Sequence, residues 1–300
     1  MKVLSYGSLN IDNVYTVDHF VRSGETMSSL KMEVFSGGKG LNQSIALAKS
    51  GVQVWHAGAV GKKDGDFLLE QLEEVGVHIE LISKLPVKTG HAIIQRNREG
   101  QNCILLFGGA NQQVTREQID HVMEQFSDGD FLILENEISE IGYIMQKAHE
   151  KKMKIVLNPS PMDEKIFTYP LDYVDYFILN EIEARDLCGH DGTGDELLEL
   201  LAEKFPMAKI VLTLGEEGSI YKDQEKVIRQ PVFKVDVVDT TAAGDTFTGF
   251  FIGGLVLGET PETTMENAAK ASAIAVTRAG AAPSIPYRKE LSEEVSVSMK

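Results

Sequence analysis

A catalytic turn is the first feature that the residue types suggest. Three small residues precede a carboxylate in Ala242–Ala243–Gly244–Asp245, between valine-rich residues 235–238, which predict the end of a strand, and apolar residues 247–257, which predict a buried helix. Small side chains would leave the amides at the helix start uncovered, and such amides bind anions. Asp245 could then accept a proton from a hydroxyl group while the amides stabilise negative charge. The alternative is that Asp245 only caps the helix.

A glycine-rich stretch near the N-terminus is the second candidate. Ser36–Gly37–Gly38–Lys39–Gly40–Leu41–Asn42 precedes apolar residues at helical spacing. Gly40 stands where a Walker loop has Ser or Thr, and the glycine spacing of a dinucleotide-binding loop is also absent. Paired glycines let backbone amides approach a small polar ligand, and Asn42 in the first helical turn could point the same way. The alternative is a tight turn with a solvated lysine.

Polar residues follow several short apolar runs that predict buried strands. In chain order they are Asn10, Asp12, Glu137, Asn158, Asn180, Glu183 and the run Gly215–Glu216–Glu217–Gly218. Because the carboxyl ends of parallel strands meet at one edge of a sheet, these residues would lie together where α/β proteins bind ligands. Each one alone could be a turn or helix-capping residue. Carboxylates at this edge would also suit Mg²⁺ held through oxygen ligands and water beside phosphates.

The elements that would position these residues alternate along the chain. Apolar runs at 131–134, 154–157, 174–179 and 210–214 alternate with amphipathic helical stripes. This pattern predicts a three-layer α/β fold, with a parallel sheet covered by helices on both faces. Extended segments at 12–36 and 88–108 interrupt it, including a hairpin joined across Arg98–Glu99–Gly100. We therefore expect a single domain over residues 1–300 with a small β-sheet lid inserted from about 12–36 and 88–108.

The composition argues against several classes of partner. Lys and Arg number 29 against 45 Asp and Glu, for a net charge of −16, and basic residues form no block. Nucleic acid and anionic membranes are therefore poor partners. Two cysteines give neither a disulfide framework nor zinc spacing, and the seven histidines show no metal-ligand spacing. Without a leader-like N-terminus or a membrane-length apolar run, we expect a soluble cytoplasmic protein.

The two glycine-containing motifs, with collinear stretches between and beyond them, resemble the signatures of the ribokinase-like (PfkB) carbohydrate kinases. The resemblance covers essentially the whole chain and implies ATP-dependent phosphorylation of a sugar hydroxyl, with ribose, phosphorylated at O5, as the expected sugar. Deoxyribose, a ketose, a keto-deoxy sugar acid or a nucleoside remain alternatives. A catalytically silent sugar-binding regulator is a further alternative, although it would not need the carboxylate base.

The resemblance also implies a role for each matching residue. Asp245 would be the base, and the amides of Ala242, Ala243 and Gly244 the anion hole. Matches to the sugar site are Asn10, Asp12, Gly38, Lys39, Asn42, Glu137 and Asp245. Matches to the ATP site are Asn180, Thr213, Gly215, Glu216, Gly218, Gly244 and Lys270, with Glu183 linked to Mg²⁺. Matches to an activating monovalent cation, usually K⁺, are Asp239, Thr241, Ala275, Arg278, Gly280 and Ser284. The lid sheet would cover the sugar and form a homodimer contact.

Overall fold

The strands and helices follow the predicted alternation. The computed structural model describes residues 1–99, 101–292 and 298–299 of the chain. The strands are β1 (Val3–Tyr6), β2 (Asn10–Thr16), β3 (Lys31–Gly37), β4 (Val54–Gly61), β5 (His78–Leu85), β6 (Gly90–Arg96), β7 (Asn102–Phe107), β8 (Phe131–Leu134), β9 (Lys154–Leu157), β10 (Tyr176–Asn180), β11 (Lys209–Thr213), β12 (Ser219–Lys222), β13 (Val227–Gln230), β14 (Phe233–Lys234) and β15 (Ser298–Met299). The helices are α1 (Lys39–Lys49), α2 (Asp66–Glu74), α3 (Arg116–Met123), α4 (Ile141–Glu150), α5 (Glu181–Cys188), α6 (Gly194–Lys204), α7 (Ala243–Val256) and α8 (Pro261–Val276).

A nine-stranded sheet forms the centre of the molecule. Its strand order is β13-β12-β11-β10-β9-β8-β1-β4-β5, and every neighbouring pair from β11 to β5 is parallel. The strands β12 and β13 run antiparallel at one edge, which the sequence analysis did not predict. The carboxyl ends of the parallel strands share one edge of the sheet, so the polar residues that follow them are brought together.

Helices cover both faces of this sheet, which confirms the predicted three-layer α/β fold. Successive residues of a strand point to opposite faces, and the core accordingly divides in two. Leu4 and Tyr6 of β1 pack in a cluster with residues of α3, α4, α5 and α6. Val3, which directly precedes Leu4 and points to the opposite face, packs in the other cluster with residues of α1, α2, α7 and α8. Within the described ranges, no helix has the length and apolarity needed to cross a membrane.

A separate four-stranded sheet, here called the small sheet, comes from the two segments that interrupt the alternation. Its order is β3-β2-β6-β7, with β2 antiparallel to β3, parallel to β6, and β6 antiparallel to β7. The predicted hairpin is therefore present, although Gly100 of its turn lies outside the described residues. Ile104, Leu105 and Phe107 of β7 are 55%, 67% and 52% exposed, so this edge strand leaves a large apolar area uncovered.

Two local predictions were incomplete or wrong. The strand β5 was not predicted, because its half-exposed sequence follows a helix without the continuous apolar run of a central strand. Residues 235–238 were predicted as a strand end, but only β14 precedes them, and Val237 and Val238 are 62% and 64% exposed. Valine side chains favour strands only where a partner strand can cover them.

Candidate active site

The turn before α7 places Asp245 in the first turn of a buried helix. Ala242 adopts a left-handed conformation (φ 60°, ψ 11°) and occupies the capping position. Asp245 is the third helical residue and is 7% exposed, so the alternative that it only caps α7 is wrong. A carboxylate at this position interacts favourably with the helix dipole.

The same turn exposes backbone amides. A Cβ added to Gly244 would meet no heavy atom within 4 Å, so open space lies in front of this residue. The amide of Ala243 donates to the Thr240 carbonyl at 3.2 Å, and an anion bound here would share that donor. Amides in the first turn of a helix have no acceptor within the helix itself. The turn therefore has the geometry of an anion site next to a carboxylate.

Two side chains of α1 hold the Asp245 carboxylate. The amide nitrogen Nδ2 of Asn42 donates to Oδ2 at 3.1 Å, and Nε2 of Gln43 donates to Oδ1 at 3.0 Å. This contact requires α1 and α7 to approach closely, and Gly249 permits it, because a Cβ there would lie 2.3 Å from the Cβ of Ala46. Asn42 was predicted as a sugar-binding residue; Gln43 was not predicted at all.

The glycine-rich stretch connects the small sheet to α1 and brings Lys39 to the end of β1. Gly38 has φ 95°, and a Cβ there would lie 2.9 Å from the Ser8 carbonyl oxygen. Both the left-handed backbone conformation and the lack of room for a side chain therefore require glycine. Gly40 packs on the backbone of Gly7, with 2.6 Å between an added Cβ and the Gly7 Cα. The helix starting at Lys39 therefore lies directly on the loop after β1.

Glu137 lies beside the residues that follow β1. Its Oε2 accepts hydrogen bonds from Nδ2 of Asn10 (3.3 Å), from the amide of Lys39 (3.4 Å) and from the hydroxyl of Ser8. Asp12 approaches from β2, and its carboxylate covers the Cα of Gly37, where no Cβ would fit. The structure thus brings together Asn10, Asp12, Lys39 and Glu137 as predicted for one polar site.

The charges of this site influence one another. Burial, together with the nearby Glu137, raises the pKa of Asp12 to about 7. Burial alone would lower the pKa of the Lys39 ammonium, but the carboxylates of Asp245 and Glu137 outweigh it and raise that pKa. Lys39 therefore stays charged among several carboxylates. The site suits a ligand that carries both hydroxyl groups and an anionic group.

A second glutamate lies beneath this site. Glu135 is 1% exposed and accepts hydrogen bonds from the backbone amides of Ser8 and Glu137. Burial first, and the charge of Glu137 second, raise the pKa of the Glu135 carboxyl. Glu135 therefore ties the loop after β1 to the loop after β8, which fixes the position of Glu137.

A cavity of about 230 Å³ joins Asp245 to the ends of the parallel strands. Its lining combines residues from both halves of the sequence: Lys39, Asn158, Ile178, Leu179, Asn180, Glu183, Thr213, Thr240, Ala242, Ala243, Gly244 and Asp245. The Asp245 carboxylate, the amides of the α7 turn and the Lys39 ammonium thus face one space. Such an arrangement can bind a phosphate chain and move a proton from a hydroxyl group beside it.

The predicted nucleotide residues are divided between the cavity and its surroundings. Asn180 and Glu183 line the cavity and also form a capping box for α5, with both bonds at 2.9 Å. Thr213 lines it too, whereas Gly215, Glu216 and Gly218 form a turn beyond the end of β11 and are absent from its lining. Lys270 is also absent from the lining and pairs with Glu266 at 2.7 Å.

Two of the predicted cation residues, Thr241 and Gly280, contact a third, Asp239. Its Oδ1 accepts from the amide (2.9 Å) and hydroxyl (2.6 Å) of Thr241, and its Oδ2 accepts from the Gly280 amide (3.1 Å). These hydrogen bonds outweigh burial and lower the pKa of Asp239. Arg278 pairs with Glu290 at 2.6 Å and approaches the Ser284 carbonyl at 3.5 Å. The Ala275 carbonyl accepts from the Arg278 amide at 3.0 Å.

Comparisons with known proteins agree with this geometry. The model of the pfkB family carbohydrate kinases matches residues 1–288. The chain belongs to this family. This carbohydrate kinase is 32% identical to the ribokinase of Staphylococcus aureus, over 97% of its own length and 99% of that protein's. It resembles Arabidopsis thaliana ribokinase solved with ribose and ATP (TM-score 0.87, 30% identity, 97% of each chain). It also resembles Cryptococcus neoformans ribokinase solved with ADP (TM-score 0.85, 30% identity, 98% and 99% coverage).

Some side chains of the kinase's site were given no role from the sequence. Gln43 lies beside Asn42 but looks like an ordinary helix residue, whereas Glu135 was expected at the sheet edge, in the polar run that follows the strand at 131–134, without a function of its own. Asn111 belongs to a stretch, Gly109–Asn111, that carries the family resemblance, and it too was given no role; its side chain bonds to Leu9 and, at 2.8 Å, to Oδ1 of Asn10. The signal that could have singled out Gln43 is its place one residue after Asn42 in the glycine-rich stretch.

Proposed function

We propose that this protein is an ATP-dependent ribose kinase, which forms ribose 5-phosphate and ADP. The observation that carries the proposal is the Asp245 carboxylate, held by two amide groups beside the amides of the α7 turn. Full-length similarity to ribokinases supports ribose over the other sugars. A catalytically silent sugar-binding protein would not need a carboxylate base next to an anion site.

Asp245 is the general base in this proposal. It accepts the proton of the O5 hydroxyl as that oxygen attacks the γ-phosphorus and the bond to the β-phosphate oxygen breaks. Negative charge on the transferred group is stabilised by the amides of Ala242, Ala243 and Gly244 and by Lys39. Positioning and charge stabilisation are the main requirements of phosphoryl transfer, so this set is sufficient on the protein side.

The sugar would be held at the end of β1, under the small sheet. Asn10, Asp12, Lys39 and Glu137 offer both donors and acceptors to hydroxyl groups, and the backbone at Gly38 allows close approach. We assign Asn42 a double role, because its donor already contacts Asp245 and its Oδ1 is buried without a hydrogen-bond partner among the described residues. A sugar hydroxyl would satisfy that oxygen.

The nucleotide would extend from the α7 turn along the ends of β10 and β11. We propose Asn180, Thr213 and Gly244 as phosphate-side contacts, and Gly215, Glu216, Gly218 and Lys270 as more distant ones. Glu183 faces the same cavity, but within the described ranges no three His, Cys, Asp or Glu side chains form a metal cluster. In our proposal Glu183 would help to hold Mg²⁺ through water, and the ion would supply positive charge that neutralises the phosphates.

A monovalent cation, K⁺ in our proposal, suits the region around Asp239. This carboxylate is linked by hydrogen bonds to Thr241 and Gly280, and the carbonyl groups of Ala275, Arg278 and Ser284 lie within five residues of the Gly280 carbonyl along the chain. Because Asp239 begins the turn that ends at Asp245, a cation here would supply positive charge that steadies the anion site. Asp239 and Thr241 would hold it together with those carbonyl groups.

The small sheet is the proposed lid and dimer contact. It carries Asp12 toward the sugar, and closing over the site would exclude water that competes for the phosphoryl group. The exposed apolar residues of β7 would be covered by the lid of a second copy, and a patch of this kind marks an interaction surface. A reducing compartment suits the free Cys103 and Cys188, and we propose the cytoplasm.

ADP release from ATP and Mg²⁺ tests the proposal. The panel contains ribose, 2-deoxyribose, fructose, 2-keto-3-deoxygluconate and adenosine, each in K⁺ and in Na⁺ at equal ionic strength. We expect the highest kcat/KM with ribose and a higher rate in K⁺. Preference for another panel member would change the substrate, equal rates in both salts would remove the cation site, and ribose binding without turnover would favour the silent regulator.

A further inference from the structure

Gln43 occupies an unusual position for a helix residue with a polar side chain. It is completely buried (0% exposed), and its single side-chain hydrogen bond within the described ranges runs from Nε2 to Oδ1 of Asp245 at 3.0 Å. Its own Oε1 is buried without a partner there. A buried amide with an unsatisfied oxygen is costly, so a core position would favour an apolar side chain unless the amide donor is needed.

The two carboxylate oxygens of Asp245 accept hydrogen bonds from donors that differ in burial. Asn42, on the Oδ2 side, retains 5% exposure, whereas Gln43 on the Oδ1 side has none. Asp245 is 7% exposed and lines the cavity, whereas Gln43 does not line it, so a substrate hydroxyl can reach the carboxylate without displacing Gln43. Because the two donors come from consecutive residues of one rigid helix, they also fix the rotation of the carboxylate about its Cβ–Cγ bond. Such pre-orientation of a base contributes to catalysis when the reacting atoms must be aligned closely.

We propose that Gln43 is a positioning residue for the kinase reaction, which holds Oδ1 of Asp245 so that Oδ2 accepts the proton of the substrate hydroxyl. Gln43 touches neither substrate in this arrangement. It acts through the carboxylate alone, so it affects the phosphoryl-transfer step and leaves the affinity for both substrates unchanged. This inference rests on the proposed function, since it assigns a role within the same reaction.

Gln43→Met is the variant that tests this role, because methionine has similar length and fills the same buried space without the donor. Ser44→Ala is the matched control. Ser44 is the next residue of α1, is also 0% exposed, and its hydroxyl bonds to Nδ1 of His56 at 2.7 Å. It therefore loses one buried hydrogen bond of the same helix without touching Asp245.

The measurement is single-turnover formation of ADP with excess enzyme, ribose, ATP, Mg²⁺ and K⁺, together with calorimetric affinity for ribose. For Gln43→Met we expect a rate constant about 10- to 100-fold below wild type, full amplitude and an unchanged dissociation constant, as loss of one charge-assisted hydrogen bond to the base predicts. Ser44→Ala should keep the wild-type rate constant even where its unfolding temperature falls.

Three results would overturn the inference in distinguishable ways. A wild-type rate constant in Gln43→Met would show that the base needs no such support. A reduced amplitude with an unchanged rate constant, or an equal loss of rate in Ser44→Ala, would make Gln43 a merely structural residue. Absence of turnover in the wild-type protein would overturn the proposed function itself, and the inference with it.

Discussion

The substitution Asp12→Asn should make the protein more stable while it weakens sugar binding. Burial and the charge of Glu137 raise the pKa of Asp12 from 3.8 to about 7 in the folded state. A shift of roughly three pKa units corresponds to about 4 kcal/mol, at 1.36 kcal/mol per unit. Asparagine has the same shape and no charge, so it fits over Gly37 without this cost.

The sign of the pH dependence follows from the direction of the shift. Between pH 3.8 and about 7 the folded protein holds the Asp12 proton that the unfolded chain has released, so wild-type stability falls as pH rises through this window. The Asp12→Asn protein has no carboxyl group at this position, so its stability does not show this fall. The free energy of unfolding of the variant should therefore exceed that of the wild type by up to about 4 kcal/mol at pH 8. At pH 5.5 this difference should be about 2 kcal/mol smaller.

Urea unfolding of both proteins at pH 5.5 and 8 measures this difference, and ribose affinity is measured on the same samples. We expect ribose to bind the variant about 10- to 100-fold more weakly at pH 8, because sugar hydroxyls bond more strongly to a carboxylate than to an amide. Asp128→Asn, a change of the same type at an exposed position, controls for net charge. The reasoning is refuted if Asp12→Asn is less stable than wild type at pH 8, or if its advantage does not shrink at pH 5.5.

Two further substitutions test the backbone of the turn Gly215–Gly218 and the proposed dimer contact. Gly218→Ala should lower the free energy of unfolding by about 2–4 kcal/mol. The reason is that φ of Gly218 is 97° and a Cβ there would lie 2.1 Å from the Gln230 carbonyl oxygen. An unchanged midpoint of urea unfolding would contradict this. Leu105→Lys should convert the dimer into a monomer, as measured by sedimentation equilibrium. Because Leu105 is exposed, the substitution should change the free energy of unfolding of the monomer by no more than about 0.5 kcal/mol. A monomeric wild-type protein would contradict the proposed contact.

The parts of the fold that the sequence predicted well are those with a local signal. The strand Phe131–Leu134 is a four-residue apolar run and Lys154–Leu157 is a lysine followed by three apolar residues, and the structure places both strands at these residues. The strand β5 has no such run, since only one of its eight residues is buried. Residues 235–238 carry the valines of a strand but pair with no strand among the described residues, so composition alone was misleading there.

The site was predictable where motifs carried it and unpredictable where long-range packing did. Asn180 follows a predicted strand and Thr213 lies near the end of another, and both line the cavity. Gln43 meets Asp245 across 202 positions of sequence, and Glu135 meets Ser8 across 127. Contacts of that kind depend on which helix faces which loop, and a single sequence gives no direct measure of it.

The most direct test of the central claim compares the wild-type protein with Asp245→Asn in steady-state ribose phosphorylation at saturating ATP, Mg²⁺ and K⁺. Asparagine keeps the size of the side chain and removes the proton acceptor. The account predicts a fall in kcat of about 10³- to 10⁴-fold in a variant with the wild-type unfolding temperature, because the base and the charge beside the anion site act together. A folded Asp245→Asn protein that retains a tenth or more of wild-type kcat would contradict it.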